Sequence, residues 1–443
     1  MLNKLNLAVQ NISPNLRKIL GNMSWLLAER ILRMAIGFFI LAWTARYLGA
    51  AQFGLLNYAI AFYWIFAMIA PLGLNQIVLR DLVSEPSSKD EIIGTSFFLT
   101  LGSGIANFLL ATAIIFMLQP KDQLSSILVT IVSVGLIVQA FYAPGAWFES
   151  QLLSKYGVLT RNASVIIMTL VKIVLIQIKA PLIAFAWAFV AEMVLIAIGY
   201  LITYQVTGNK LQYLRMNWWR AKSMLKVSWP LIFSTLAIVL YLRIDQIMLG
   251  QLADDKSLGI YSVAVRLSEF WGFIATAIVS SVSPSIIEAK KISESLYYKK
   301  IQKTCNLLSL IVYCLAIPMT FLSTPLVVLL FGQEYAPAGL VLSIHIWSSL
   351  FVFLGYAKEV WIATEELTVF TLAASCVGAV TNILLNFWLI PKYQAVGASI
   401  ATVISYGIAD YAMCLVYPRT RKFAGVMTKA AAFGFVNTIR EKL

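Results

Sequence analysis

LIFSTLAIVLYLRIDQIMLG, residues 231 to 250, reads as an apolar helix until it reaches Arg243 and Asp245. A helix rising about 1.5 Å per residue needs about 20 residues to cross a bilayer core of about 30 Å. A charge at the centre of such a segment costs about 2.5–3.5 kcal/mol on insertion scales. Either the segment does not span, or its charges face something other than lipid. Composition decides the first point. Of the 443 residues, 60% are hydrophobic and 12% charged, whereas a soluble domain has about 45–50% and about 25%. No compact soluble core could hide that much apolar surface. An all-α integral membrane protein is predicted.

Windows of about 20 residues give twelve predicted spans, near 24–45, 53–76, 92–118, 124–147, 157–178, 182–205, 225–250, 257–281, 304–331, 338–362, 367–390 and 395–417. The ninth carries Pro318 and Pro325 and is read as a kinked span, since neighbours can satisfy the freed carbonyls. An even count puts both termini on one side. Of the 34 lysines and arginines, 23 fall on that side, 5 on the other and 6 inside spans. By the positive-inside rule both ends are cytoplasmic. The net charge of +14 is then mostly topology, and anionic lipid headgroups fit these loops better than nucleic acid does.

Before the first span, MLNKLNLAVQNISPNLRKILGN lacks a compact apolar run and an A-x-A cleavage site, so residues 1–23 are predicted as an interfacial amphipathic segment, shortened by Pro14. Four scattered cysteines and one histidine build no zinc or redox site, and the cysteines are expected to be small buried side chains. No Walker loop, H-E-x-x-H or G-x-S-x-G is present, so neither an enzyme nor a nucleotide-driven pump is expected. No cofactor is called for. Active transport would draw on a proton or sodium gradient, or on the substrate's own concentration difference.

The chain repeats itself. YLGAAQFGLLNYAIA from Tyr47 parallels MLGQLADDKSLGIYSVAVR from Met248, with the second glycines at Gly54 and Gly259. WFESQLLSKY from Trp147 parallels WIATEELTVF from Trp361, 214 residues later. Two halves of six spans are expected, related by a pseudo-two-fold along the membrane normal: an N-lobe over 24–205, a basic cytoplasmic linker over 206–224, a C-lobe over 225–417 and a basic tail over 418–443. Two such bundles form a transporter layout.

Charged side chains inside the spans are functional candidates by default. The first span carries Glu29, Arg30 and Arg33, with Glu29 and Arg33 four apart on one helical face. The seventh carries Arg243 and Asp245, and the eighth Arg266 and Glu269. The fifth and sixth contribute Lys172 and Glu192, with Arg161 nearer the cytoplasmic end, while Arg80 with Asp81 closes the second. Two readings stand side by side. Glu29–Arg33, Arg266–Glu269 and Lys172–Glu192 would be register-holding pairs, or the arginines would line a wet cavity and hold an anionic group, for which a planar, always-charged fork is suited. His345 is either a packing histidine or a proton carrier.

ARYLGAAQFGLLNYAIAF (45–62), RIDQIMLG (243–250), LGIYSVAVRLSEFW (258–271) and NILLNFWLIPKYQAVGASIATVIS (382–405) resemble the polysaccharide-exporter branch of the MOP flippase superfamily, which includes the Wzx-type O-antigen flippases. The last segment, with N-x-x-L-N and L-I-P, carries most of the resemblance. Gln394 departs from it where the family usually has glycine, and Ser399 where alanine is common. The resemblance implies a MATE-like fold of twelve helices in two lobes. It also implies flipping of a polyprenyl-pyrophosphate-linked oligosaccharide to the outer leaflet by alternating access, alongside other polysaccharide assembly proteins. Cationic cavity residues of relatives map best onto Arg30, Arg33 and Arg266, with Arg243, Lys172 and Arg80 as further candidates; Glu29, Glu192, Asp245 and Glu269 are candidates for ion coupling. A multidrug exporter of the same fold would want an acidic cavity. A lipid II flippase is the closer chemical rival, with fourteen spans typical of its family.

Overall fold

The computed structural model describes residues 14–120 and 122–432, with side chains from Ile36 onward except that of Ser234. Residues 1–13 of the interfacial segment expected over residues 1–23 therefore lie outside the described residues. So do the side chains of Glu29, Arg30 and Arg33, although their backbone is helical. The remainder of that segment, from Pro14, is helical backbone continuous with the first span. Among the described residues every regular element is a helix. In chain order these are α1 (Pro14–Ile69), α2 (Asn75–Ser84), α3 (Lys89–Leu118), α4 (Gln123–Ser133), α5 (Ala143–Ser150), α6 (Ser154–Gln177), α7 (Leu182–Val206), α8 (Trp218–Leu252), α9 (Asp255–Glu269), α10 (Gly272–Ile292), α11 (Glu294–Phe331), α12 (Ala338–His345), α13 (Ser348–Thr364), α14 (Thr368–Tyr406) and α15 (Arg421–Ala431). Short helical turns join several of them.

Ten helical stretches among the described residues are long and apolar enough to cross a bilayer. Two of the helices are broken internally, α1 at Gly49 (φ 72°, ψ 170°) and α14 at Gln394 (φ 48°, ψ −127°). Helix starts follow side-chain capping where polar residues allow it. Asp122 accepts from the amides of Leu124 and Ser125, Asp254 from Ser257, and Ser293 from Leu296. The stretch with Pro318 and Pro325 is one continuous helix, α11. The second span was expected to run to residue 76 but stops at Ile69; Leu72 and Gly73 turn with positive φ, and α2 begins separately.

The Trp147 and Trp361 segments each contain a helix end, of a kind that also closes helices at Lys179 and Gly208. At Leu152 (φ 55°) and Glu366 (φ 57°), again 214 residues apart, a helix ends in the same left-handed turn. At the first, the amides of Leu153 and Leu152 donate to the carbonyls of Phe148 and Glu149; at the second, those of Leu367 and Glu366 donate to Ile362 and Ala363. Both are the paired hydrogen bonds of a Schellman cap, built without the usual glycine.

The chain divides into two compact units. One comprises residues through Tyr47 together with Ala59–Leu236; the other comprises Leu48–Tyr58 and the chain from Ala237. The boundary at Leu236–Ala237 falls inside α8, not in the basic loop before it. That loop is strapped to the first unit: the Arg215 amide donates to the Asp90 carbonyl, and Arg220 reaches Glu91 at 2.6 Å and Glu85 at 2.8 Å. The same unit has a core of Leu74, Ile77, Leu82, Ile93, Phe148, Tyr204 and their neighbours. In the second unit Phe53 and Phe331 both pack on Tyr335, and Trp361 lies against Phe423 of α15. Apolar side chains such as Leu109, Phe116, Phe321, Leu329 and Trp388 point outward, as spans facing hydrocarbon require. Cys314 and Cys376 are among the exposed residues and only Cys305 and Cys414 are buried. The expectation of four buried cysteines is corrected: in a lipid-facing position a small thiol needs no interior.

Candidate functional site

The second unit gathers polar groups that its apolar helices would otherwise exclude. Arg243 and Asp245 are two residues apart on α8 and point in different directions, which separates their partners. Arg243 crosses to α9, its Nη1 lying 3.3 Å from Oε1 of Glu269 and its Nη2 3.5 Å from Oε2. Asp245 turns inward, with 5% of its surface exposed. Its carboxylate accepts from the Tyr261 hydroxyl, from the Gln246 amide at 2.7 Å and from Thr402 Oγ1 of α14 at 3.4 Å. Tyr261 and Thr402 are themselves 3.1 Å apart. A buried carboxylate held by three donors is stabilised in place, because leaving it unpaired would cost several kcal/mol.

Against Tyr261 lies His345, edge to face at 5.9 Å between ring centres. His345 is buried, and its Nδ1 has no hydrogen-bond partner among the described residues. The asparagines of the N-x-x-L-N motif extend the polar seam. Asn382 donates to Ser405 at 3.1 Å and Asn386 to Asn382 at 2.7 Å, both fully inside. One of the two readings of the sequence paired Glu269 with Arg266, three residues earlier on the same helix. The structure gives that carboxylate to Arg243 instead. Arg266 is left with no hydrogen bond or ion pair among the described residues.

A second buried pair escaped the sequence reading. Lys358 of α13 contacts Asp410 at 2.5 Å, with the lysine side chain 4% exposed and the aspartate 19%. Asp410 sits in a π-helical turn, Gly407–Ala412, which follows α14; such widened turns recur at functional sites. Gly355 stands opposite and leaves room for the carboxylate, since a Cβ there would lie 3.3 Å from Asp410 Oδ1. Two lone charges 52 residues apart give no spacing signal, so only the folded chain shows the pair.

In the first unit Lys172 and Glu192 meet at 3.1 Å across α6 and α7. Arg161 donates to the Tyr200 hydroxyl at 2.7 Å. Arg80 is not brought to these groups. It sits on α2, its side chain 60% exposed and bonded to its neighbour Asp81. Among the described residues no group of three His, Cys, Asp or Glu side chains could hold a metal ion.

Comparison with known proteins agrees with this architecture. Residues 19–290 match the sequence model of the Polysacc_synt family, described as polysaccharide biosynthesis protein, and residues 230–388 match MatE. The chain is 28% identical over 192 residues to the capsular polysaccharide biosynthesis protein CapF of Staphylococcus aureus, covering 43% of this chain and 48% of that protein. It is 28% identical over 171 residues to the probable flippase AglR of Haloferax volcanii, covering 37% of this chain and 35% of that one. The matched parts thus span half or less of these relatives. Among solved structures, a multidrug resistance MATE family transporter of the MOP superfamily superposes with a TM-score of 0.66 at 14% identity, covering 90% of this chain and 96% of that one. The lipid II flippase MurJ gives 0.66 at 14% identity, covering 94% and 93%. The fold is MATE-like.

Proposed function

The chain belongs to the polysaccharide biosynthesis protein family, whose relatives here are multi-pass membrane transporters and flippases, and from that premise we propose that it moves a polyprenyl-pyrophosphate-linked oligosaccharide from the cytoplasmic to the outer leaflet by alternating access. The observation that carries the substrate class is Arg266. It is a partly buried guanidinium on α9, beside an Arg243 bonded to Glu269, and although Glu269 is near it makes no hydrogen bond or ion pair of its own among the described residues. A cation so placed is stabilised by an anion that arrives and leaves, and a pyrophosphate suits its planar fork. Arg30 and Arg33 would add to that site from the first span. Arg243 positions Glu269 rather than facing the anion alone. Lys172, paired with Glu192, and the exposed Arg80 are weaker members of the set.

Within the same proposal the chain crosses the membrane twelve times with both termini cytoplasmic. Ten apolar helical stretches, the breaks at Gly49 and Gln394, and the charge bias of the loops support that count. The sequence parallels at Tyr47 and Met248 and at Trp147 and Trp361 support two homologous halves. Asp245 is the proposed coupling carboxylate, because Tyr261 and Thr402 bond it directly and His345 packs behind Tyr261, groups able to hold or pass a proton or to coordinate sodium. The fold alone does not choose between exporting cations and flipping lipids, since both kinds of structure superpose equally well.

Cells depleted of the protein test the reading. The lipid-linked oligosaccharide should accumulate with its glycan facing the cytoplasm, protected in spheroplasts from an impermeant glycosidase. An unchanged outer-leaflet pool, with organic-cation efflux lost instead, would replace the flippase with an exporter.

A further inference from the structure

The first unit contains a cavity of about 630 Å³, a size within the roughly 300–1,000 Å³ of small-molecule sites. We propose that it is a glycan-binding subsite, taking the sugar moiety of the lipid-linked substrate. The inference rests on the flippase reading above and adds to it the place where the sugar is recognised.

The lining has the two kinds of surface that a pyranose presents in mirror image. A sugar ring has apolar C–H faces and a rim of hydroxyls that both donate and accept. The cavity is walled by the rings of Trp64, Phe189 and Tyr142, interleaved with Gln139, Arg161 and Glu192. Aromatic rings cover apolar faces, and those of Tyr and Trp keep a polar handle. Glutamine offers a donor and an acceptor, arginine donors only, and a carboxylate acceptors only, so the three together can meet a hydroxyl in either sense. These side chains are held in position from behind. Gln139 Nε2 donates to the Tyr63 hydroxyl at 2.6 Å, Arg161 Nη1 to the Tyr200 hydroxyl at 2.7 Å, and the Tyr142 hydroxyl to the Met193 carbonyl at 3.2 Å. Lys172, behind the wall, anchors Glu192 at 3.1 Å. A site fixed in advance loses less entropy when it binds.

Charge separates this site from the alternatives. One arginine and one glutamate line it, so a pyrophosphate with several negative charges gains no net attraction, and neither does an organic cation. A polyprenyl tail would leave unmet the hydrogen-bonding capacity that the amide and both charged groups keep beyond their protein partners, a cost for polar groups covered by hydrocarbon. A neutral polyhydroxylated ligand satisfies all of them.

The test holds the full-length protein in nanodiscs and measures binding of two probes by native mass spectrometry. One probe is polyprenyl pyrophosphate without sugar. The other is the polyprenyl-pyrophosphate oligosaccharide pool extracted from the cells that make the protein. Wild type should prefer the glycosylated lipid. In Gln139→Met and Tyr142→Phe that preference should fall about five- to tenfold, the equivalent of one or two lost hydrogen bonds, while the bare lipid binds as before. Retained binding of the bare lipid also shows that each variant has folded. If the variants keep the full preference, or if wild type binds both lipids equally, the cavity does not read the glycan and the inference fails while the flippase reading stands. If wild type binds neither lipid, the flippase reading falls and the glycan subsite falls with it.

Discussion

Gly54 and Gly259 lie back to back: a Cβ on Gly54 would come 1.9 Å from the carbonyl oxygen of Asp255, and a Cβ on Gly259 would come 1.9 Å from that of Ala50. Each glycine thus faces the carbonyl four residues before the other, so the contact is reciprocal. Backbones approach this closely only where side chains are absent, the packing that small residues allow between membrane helices. Ala50 N also donates to Glu334 Oε1 at 2.8 Å, and Tyr58 accepts from Gln251 at 2.6 Å, fixing the Leu48–Tyr58 stretch in its unit. Gly54→Ala or Gly259→Ala should therefore destabilise the protein by about 3 kcal/mol, the upper end of overpacking costs. Thermal unfolding in detergent reads this directly. Gly102→Ala is the control, since nothing lies within 4 Å of its added methyl, and it should leave the transition where it is.

Lys358 and Asp410 form a pair in which the lysine is the more deeply buried partner. Lys358→Met should cost about 3–5 kcal/mol because it leaves an uncompensated carboxylate among apolar helices. The double variant Lys358→Met with Asp410→Asn should recover most of that loss. A double variant no more stable than the single one would mean the pair is not energetically coupled, and a mutant cycle measured by unfolding decides it.

Gln394 occupies backbone that glycine prefers (φ 48°, ψ −127°), while its Oε1 accepts from the Ser257 hydroxyl at 3.0 Å. Strain of this kind costs about 1–3 kcal/mol, against about 1 kcal/mol for one hydrogen bond. Gln394→Gly should be at least as stable as wild type. Gln394→Ala, which keeps the strain and loses the bond, should be less stable than either. Equal melting of the Ala and Gly variants would show that this backbone is not strained.

Asp245 is the coupling carboxylate in the proposed mechanism, so Asp245→Asn keeps the shape of the site and removes its charge. Transport should fall by about tenfold or more, as expected for an intramembrane charge that carries function, and its response to imposed proton and sodium gradients should flatten. An intact response to both gradients in the variant would remove Asp245 from the coupling role.

Much of this architecture was legible in the chain because membranes impose simple rules. Apolar length marks the crossing helices, whereas the Trp147 and Trp361 segments, matched in sequence, gave no sign that each holds a left-handed helix end. Gly54 and Gly259 stood out by their place in the repeat, although not for meeting each other. What the sequence hid depends on side-chain direction and distant contacts. Spacing along one helix proposed Arg266 for Glu269, but Arg243 reaches that carboxylate from the neighbouring helix. Lys358 and Asp410 carry no local signal, and neither do Tyr261 and Thr402, which meet at Asp245. Arg80 looked like a buried charge because the second span was drawn too long; the turn at Leu72 and Gly73 places it on a separate helix, α2, with its side chain on the exposed face.

The central claim is that Arg266 receives the substrate's pyrophosphate, and reconstituted translocation tests it most directly. Proteoliposomes carrying wild type, Arg266→Ala or Arg266→Lys are loaded with the extracted lipid-linked oligosaccharide, and its arrival at the opposite leaflet is followed with an impermeant glycan probe. Losing a charge-assisted contact worth about 1.5–3 kcal/mol should slow Arg266→Ala by about 10- to 150-fold, with Arg266→Lys partly active and both variants folded. Translocation by a folded Arg266→Ala protein at the wild-type rate would contradict the account.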